Sequence, residues 1–341
     1  MTLSIRFGFL ALVLTALAPG QALAWGAVGH RLVGVVAAEN FSKDLPAFLR
    51  AKGAAADIGE WAREPDRSKG AGTVHDRGRD PGHNILVDDS GKVMGGPPLA
   101  ALPPTRADYE TALRAAGSET YRAGYLPYSI IDGWQQLVKD FTYWRILKAG
   151  LAHAKSAEQK RYYRDDIARR EKQTIMDLGL WAHFVGDGSQ PLHMTIHIDG
   201  WGNHPNPGDY TKDKIHTPFE GDFVHKFVDL KMVRDRLPAP APDCGCGIET
   251  WTGNYLVETS KLYETVYQMW KAGEFSDANP KGEDFTARQI AIGAAQLRDM
   301  TLAAWRASDR GAIGNPATLL VTVQDAESGA KDPYDALIGM D

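Results

Sequence analysis

Apolar residues recur at intervals of three and four over long stretches of the chain, and this periodicity restricts the fold more than any other feature. Between residues 130 and 151 the spacing is followed by Ile131, Trp134, Leu137 and Phe141. A helix with this pattern has one apolar face. Further helices are predicted over residues 28–40, 156–184, 218–233, 249–272 and 284–306. Period-two strands are scarce, so the chain is predicted to be an all-α, single multi-helix domain.

Long irregular loops rich in Gly and Pro separate the predicted helices. The largest loops cover residues 70–104 and 199–216. Loops of this length in a compact domain are usually functional or disordered. Residues 311–341 lack a strong helical period, so we expect a loosely packed C-terminal tail after a main domain of residues 25–310.

The composition narrows the possible functions. Of 341 residues, 43% are hydrophobic and 24% are charged, which excludes a disordered chain or a coiled-coil rod. The formal net charge of -5 excludes a generally basic nucleic-acid surface, so phosphate chemistry would need a locally positive site. Two cysteines, Cys244 and Cys246, are too few for a disulfide-dense scaffold. The sequence leaves their pairing open, because an oxidising compartment favours a bond and so small a ring opposes it.

The first 24 residues are typical of a secretory signal peptide. Arg6 precedes a mostly apolar run over residues 7–18, which a Pro-Gly pair ends. Ala22 and Ala24 are the small residues that a signal peptidase recognises. The run is too short for a comfortable membrane span of about 20 residues. We therefore expect cleavage before Trp25, a free α-amino group on that residue, and a periplasmic or secreted product.

The strongest candidate site is the segment from His183 to His193. His183 and Asp187 are four residues apart, so on a helix they lie on one face, one turn apart. An imidazole and a carboxylate placed in this way can hold a zinc ion. Asp187 has two oxygens that could bridge two ions, and His193 follows a turn from which it could reach a second metal. The alternative is a capped helix end whose histidines have ordinary hydrogen-bond partners.

Two further patterns have metal-ligand spacing. His216 and Glu220 repeat the four-residue interval at the start of a predicted helix. A helix start with a favourable acidic residue is an equally good interpretation of that pair. His30 lies five residues after Trp25, so an amine, a carbonyl and an imidazole could surround one ion.

Asp66 and His83 form the weakest candidate pair. His75 competes with His83 as the imidazole ligand. Asp66 has competitors as the carboxylate ligand, which are Asp57, Asp76 and Asp80.

Together these segments resemble the superfamily that joins zinc-dependent phospholipases C to the S-one/P-one single-strand nucleases. Its members start their mature chain with a Trp that binds metal through its own amine and carbonyl, as Trp25 would. The family patterns His-x3-Asp-x5-His and His-x3-Asp/Glu are matched by His183, Asp187, His193, His216 and Glu220. The matching segments cover most of residues 25–225.

The resemblance implies an all-α fold of this superfamily's type and three zinc ions. One ion would be held by Asp66, His83, His183 and Asp187. A second would be held by the Trp25 amine and carbonyl, His30 and Asp187. The third would be held by His193, His216 and Glu220. His83 is preferred to His75 because the family's histidine is followed closely by an acidic residue, here Asp88.

The resemblance also implies a reaction. The positive charge of three zinc ions would exceed the negative charge of the three carboxylates. The cluster could therefore attract a phosphodiester although the protein as a whole is negatively charged. Zinc lowers the pKa of bound water toward about 7, so a zinc-bound hydroxide would hydrolyse the ester while Asp66 orients the attacking water. Arg67 and Lys69 could bind phosphate, although a solvated surface pair is the ordinary alternative.

The residues from Trp25 to His30 resemble the nuclease branch. The favoured function is therefore a secreted zinc endonuclease for single-stranded DNA or RNA, acting as a monomer without an obligate protein partner. Glu220 in place of Asp resembles the phospholipase branch. The alternative is therefore a zinc-dependent phospholipase C that binds phospholipid head groups and cleaves phosphatidylcholine-type lipids.

Base recognition is where the chain departs from the fungal nucleases. Those enzymes stack a base on an aromatic residue directly after a zinc-binding histidine, and this chain has Asn84 at that position. Stacking is worth about 1–3 kcal/mol per base. Candidate replacements, for which ordinary packing is the simpler interpretation, are Trp61, Trp201 and Tyr210.

Overall fold

The computed structural model describes residues 25–69, 78–242, 244–315 and 317–338. Its helices are α1 (Gly26–Glu39), α2 (Ala54–Trp61), α3 (Arg106–Ala115), α4 (Thr120–Ala123), α5 (Leu126–His153), α6 (Ala157–Asp187), α7 (Val224–Phe227), α8 (Leu230–Asp235), α9 (Ile248–Ser260), α10 (Tyr263–Lys271), α11 (Pro280–Ala307), α12 (Val323–Glu327) and α13 (Tyr334–Ile338). Two short strands, β1 (Ala312–Ile313) and β2 (Val321–Thr322), pair antiparallel. The prediction of an all-α fold is confirmed. The expected signal peptide lies outside the described residues.

The long helices α5 and α6 form an antiparallel pair at the centre of the fold. Near one end of the pair, Trp181 Nε1 donates a hydrogen bond to the Ile130 carbonyl at 2.8 Å. Near the other end, the Trp144 indole donates to Glu171 at 3.0 Å. The Ser156 side chain caps the start of α6, and only two residues lie between Ser156 and the end of α5. The two helices therefore form a tight hairpin.

Helices α1, α2 and α11 pack against this pair and complete the main core. The approach of α1 to α2 is close because both helices present glycine there. A Cβ on Gly34 would lie 3.0 Å from the Gly59 Cα atom. Among the described residues, no helix has both the length and the apolar character needed to cross a membrane.

Two predicted helices are each broken in the structure. The stretch 218–233 consists of a π-helical turn (Pro218–Phe223), α7 and α8, because Asp229 caps a new helix by accepting the Met232 amide. The stretch 249–272 divides into α9 and α10. Ser260 donates its hydroxyl to the Val257 carbonyl, and such side-chain bonds compete with the helical ladder.

The described part of the C-terminal segment is packed, which corrects the expectation of a loose tail for those residues. Val323 and Ala326 of α12 are buried in a small apolar cluster with Ile146 and Ala149 of α5. A Thr322 cap with reciprocal bonds to Asp325 starts this helix. The described residues between 312 and 327 therefore cover one side of α5 with apolar contacts. Helix α12 is too short for its apolar spacing to be detected in the sequence.

Candidate metal centre

The histidines and carboxylates singled out in the sequence converge at the C-terminal end of α6. His183 and Asp187 lie on its last turn, and both are fully buried. Helix α1 brings His30 to this turn, where Gly186 permits the approach because a Cβ there would lie 3.3 Å from His30 Nδ1. Short helical turns carry Asp66 (Pro65–Ser68), His83 (Asp80–His83) and His193 (Pro191–Met194). His216 precedes, and Glu220 lies within, the π-helical turn Pro218–Phe223.

Three groups of side chains have ligand atoms close enough together to hold a metal ion. The first group consists of His83, His183 and Asp187. The second consists of His30, Asp66 and His183. The third consists of His193, His216 and Glu220. His75, the competitor of His83, lies outside the described residues.

Asp187 stands between two of these groups, with one oxygen toward each. Its Oδ2 lies 3.1 Å from His83 Nδ1 and 3.4 Å from His183 Nε2. Its Oδ1 lies 3.5 Å from His30 Nε2. This is the arrangement that a carboxylate needs if it is to share two neighbouring cations.

Backbone carbonyls orient two of the imidazoles. His183 Nδ1 donates to the Ala62 carbonyl at 2.8 Å, and His193 Nδ1 donates to the His83 carbonyl at 2.6 Å. In each neutral ring the other nitrogen then carries the lone pair and faces the cluster. Metal-binding histidines are commonly oriented by a second hydrogen bond of this kind.

Several buried polar atoms of the cluster have no hydrogen-bond partner among the described residues. They are both ring nitrogens of His30, Asp66 Oδ2, Asp187 Oδ1, His216 Nδ1 and Glu220 Oε1. A buried polar atom without a hydrogen bond lowers the stability of the fold by about 1–3 kcal/mol. A cluster of such atoms therefore needs an explanation. Most of them are nitrogen and oxygen donors suited to zinc, and the donor set therefore fits a bound cation.

The electrostatics of the cluster also favour a bound cation. Burial lowers the pKa values of His30, His83 and His183, and nearby positive charge adds to the effect. Burial also raises the pKa of Asp187, assisted by Asp66. The imidazoles are thus held neutral, as metal binding requires, while the buried carboxylate needs a nearby positive charge to stay ionised.

The Glu220 carboxylate is surrounded by hydrogen-bond donors. His216 Nε2 lies 2.8 Å from Glu220 Oε2, and Gln190 Nε2 donates to the same oxygen at 2.7 Å. Burial alone would raise the pKa of Glu220, but His216 and His193 outweigh it and lower the pKa to about 2. The carboxylate is therefore ionised and oriented at neutral pH.

Replacing Gln190 with leucine is expected to lower the zinc affinity of the His193, His216 and Glu220 group by about 10–100-fold, because outer partners orient ligands. The change removes the bond to Glu220 and the acceptor of the Leu192 amide. Competition with a chelator of known affinity measures the effect. The exposed Gln324→Leu on α12 is the matched control, and equal affinities in the two variants would contradict the assignment.

Trp25 is fully buried beside the same helix turn. Its indole Nε1 donates to the Gly186 carbonyl and lies within hydrogen-bond distance of Ser189 Oγ, at 2.9 Å in each case. The next residue, Gly26, lies close to the backbone of the third group, since a Cβ on Gly26 would lie 3.2 Å from the Glu220 carbonyl oxygen. The Trp25 side chain thus holds the start of α1 against Gly186 and Ser189, which lie on either side of Asp187 in the chain.

The three candidate substrate contacts differ in their surroundings. Lys69 is buried, and its Nζ lies 3.1 Å from Asp66 Oδ1. Burial opposes charge on Lys69, but Asp66 and Asp187 outweigh it and raise the pKa. Arg67 is half-exposed and pairs with Glu64. The Asn84 side chain packs against Gly124, where an added Cβ would lie 2.4 Å from Asn84 Oδ1.

A cavity of about 490 Å³ opens beside the first group. His83, Phe184 and Leu180 line it, together with Arg67 and Arg79. The Phe184 ring is partly exposed, and its centroid lies 5.3 Å from that of His83. Sequence reasoning missed Phe184 and Arg79, although Phe184 directly follows a candidate ligand on α6.

The three aromatic residues weighed as stacking partners are not in this cavity's lining. Trp201 and Tyr210 are buried at 4% and 7% exposure in an aromatic cluster with Tyr267. Trp61 ends α2 with 37% exposure and packs against Gly179. Ordinary packing accounts for Trp201 and Tyr210.

No family model matches this chain, and no curated protein matches it. Among solved structures, it is similar to the alpha-toxin of Clostridium perfringens isolated from an avian strain, with 12% identity and a TM-score of 0.34. The similarity covers 87% of this chain and 69% of the toxin chain. Similarity at this level carries no argument about function, which therefore rests on the ligand geometry of this chain.

Proposed function

We propose that this chain is a secreted, zinc-dependent phosphodiesterase of the superfamily that joins zinc phospholipases C and S-one/P-one nucleases. The observation that carries the proposal is the convergence of three buried His/carboxylate groups around Asp187, with buried atoms in all three groups that lack a hydrogen-bond partner within the described part of the chain. Three zinc ions are proposed, with the ligands implied by the resemblance. When bound, zinc supplies Lewis acidity that makes water nucleophilic near neutral pH and polarises phosphate.

The chain's own residues have distinct proposed roles around the phosphate. Asp66 Oδ2 has no hydrogen-bond partner among the described residues, so it can accept a hydrogen bond from the attacking water and orient it. The Lys69 ammonium, on the other oxygen of Asp66, is placed to neutralise a non-bridging phosphate oxygen.

We propose single-stranded DNA or RNA as the substrate, on the evidence of the cavity beside His83. Two arginines, Arg67 and Arg79, line it next to the Phe184 ring, and the one acidic residue of the described lining, Glu64, pairs with Arg67. An aromatic face flanked by cations suits a nucleotide, which offers a base to stack and a phosphate to bind. A phosphatidylcholine head group ends in a cation, which the net positive charge of this lining disfavours.

The experiment is a side-by-side assay of the zinc-loaded protein on single-stranded oligonucleotides and on phosphatidylcholine vesicles, with and without chelator. Oligonucleotide cleavage that stops with chelator and returns with zinc is the expected result. Release of diacylglycerol without any oligonucleotide cleavage would instead support the phospholipase C alternative, which Glu220 at the third group favours. Cleavage of neither substrate by fully loaded protein would overturn the proposal.

Replacing Phe184 with alanine is expected to raise the KM for an oligonucleotide by about tenfold or more, because a stacked base contributes about 1–3 kcal/mol. Zinc content should not change, since both histidines next to the ring remain. Phe184→Tyr, which keeps an aromatic face, is the matched control. An unchanged KM with a normal zinc content would exclude Phe184 as a base contact.

A further inference from the structure

Cys244 and Cys246 are joined by a disulfide that spans only Gly245. The two are the chain's only cysteines. A cross-link stabilises a fold mainly by restricting the unfolded chain, and the effect grows with the length of the closed loop. A loop of three residues gains little in this way. The bond also joins no distant segments, so structural stapling is a weak explanation for it.

The two sulfur atoms have different surroundings. Cys244 is exposed, whereas Cys246 is half-buried and comes directly before Gly247, the N-cap of the 13-residue helix α9. The Cys246 amide donates to Cys244 Sγ at 3.2 Å. An incoming thiol therefore reaches Cys244 more easily. A thiolate left on Cys246 would gain stability from the free amides at the start of α9.

A cavity of about 360 Å³ lies next to the disulfide and is lined by both cysteines. Trp251, Leu262 and Ile292 give it an apolar wall. Gln289 also lines it and is only 3% exposed. The lining therefore combines an apolar wall with neutral polar groups such as the Gln289 carboxamide. The charged lining residues, Glu258 and Asp299, are both acidic, and they pair with Lys261 and Arg298. The described lining thus offers an anion no unpaired positive charge and suits an uncharged ligand.

We propose that Cys244–Cys246 is a thiol-exchange site whose neighbouring cavity binds the body of an uncharged thiol with an apolar part. In the first step, the thiolate sulfur of the incoming molecule bonds to Cys244 Sγ. The bond between the two cysteines breaks, and its electron pair leaves on Cys246. A second thiolate then attacks the sulfur of the bound molecule, which gives a free disulfide and reduced Cys244. The net reaction oxidises two thiols and reduces the protein disulfide, with protons exchanged with solvent.

The test compares benzyl mercaptan with mercaptoacetate as reductants of the folded, full mature protein. Samples are quenched with acid and alkylated, and the intact mass is measured. The reference is the oxidised peptide Cys-Gly-Cys, which shows the intrinsic preference of the same disulfide. Relative to this peptide, we expect the protein to favour benzyl mercaptan over mercaptoacetate by at least about tenfold. Equal preferences in protein and peptide, or no reduction of folded protein, would overturn the proposal.

Variants separate the parts of this site. Trp251→Ala removes the aromatic wall, so the preference for benzyl mercaptan should fall toward the peptide value. With dibenzyl disulfide as the probe, the Cys244 thiolate of Cys246→Ser should attack one sulfur, release benzyl mercaptan and form a stable mixed disulfide. Cys244→Ser should form less of it on the half-buried Cys246. The reverse order of trapping would contradict the assigned direction of attack.

Stability and hydrolysis provide independent readouts. Reduction should lower the melting temperature by less than about 3 °C, because the closed loop is short. A fall of more than about 10 °C would identify the disulfide as a structural staple and overturn the proposal. Phosphodiester hydrolysis should be unchanged in Cys244→Ser, so failure of the hydrolase proposal and failure of this one are distinguishable.

Discussion

Replacing Asp187 with asparagine is expected to remove two bound zinc ions and to lower phosphodiester hydrolysis by more than about 10³-fold. The two oxygens of this residue face different groups, with Oδ2 toward His83 and His183 and Oδ1 toward His30. An amide has one oxygen and no charge, so it cannot serve both sides. Metal analysis after gel filtration and a rate assay at saturating zinc measure the two effects.

Asparagine has nearly the same size as aspartate, so the Asp187→Asn substitution keeps the buried volume. Loss of zinc can then be distinguished from unfolding. Asp165→Asn changes an exposed carboxylate on the same helix and should retain all ions and full activity. Melting curves with and without zinc report on folding, because saturating zinc at 100 times its Kd stabilises by about 2.7 kcal/mol per site. A folded Asp187→Asn protein that retains every ion would refute the shared position of this carboxylate.

An extra residue before Trp25 is expected to lower activity by more than about 100-fold. The predicted ligand is the α-amino group, which loses its proton near pH 8, and an added residue turns it into an amide without a lone pair for metal. Two preparations that differ only by one glycine before Trp25, each released from a cleavable fusion, test this directly. Zinc content should fall by one ion in the extended protein.

The anchoring role of the Trp25 side chain must be separated from that of its amine. Trp25→Phe with a free amine loses the indole bond to Gly186 and the contact with Ser189, so it should lose some stability but keep the zinc ion. If the extended and native proteins have equal activity and metal content, the amine is not a ligand.

Much of the candidate site could be predicted from the sequence, because several of its ligand pairs lie only four residues apart. His183 and Asp187 lie on one face of the last turn of α6, as four-residue spacing on a helix requires. The link from Asp66 to His83 could not be derived from spacing, since irregular turns bring these residues together. Those assignments came from the family resemblance.

The features that sequence reasoning missed depend on contacts between distant segments. No local pattern shows that the Ala62 carbonyl orients His183, or that Gln190 bonds to Glu220, because each contact joins residues far apart in the chain. The helix breaks were missed for a different reason. A hydrogen bond accepted by the Asp229 carboxylate and one donated by the Ser260 hydroxyl interrupt stretches whose apolar spacing remains helical.

The contacts between His83 and His193 have a consequence for metal loading. His193 Nδ1 donates to the His83 carbonyl at 2.6 Å, and the Ile85 amide donates to the His193 carbonyl at 2.9 Å. Each segment therefore positions the other, although their imidazoles belong to different groups. An ion that orders one segment lowers the entropic cost of ordering the second, so zinc uptake should show positive cooperativity and partly filled molecules should be rare.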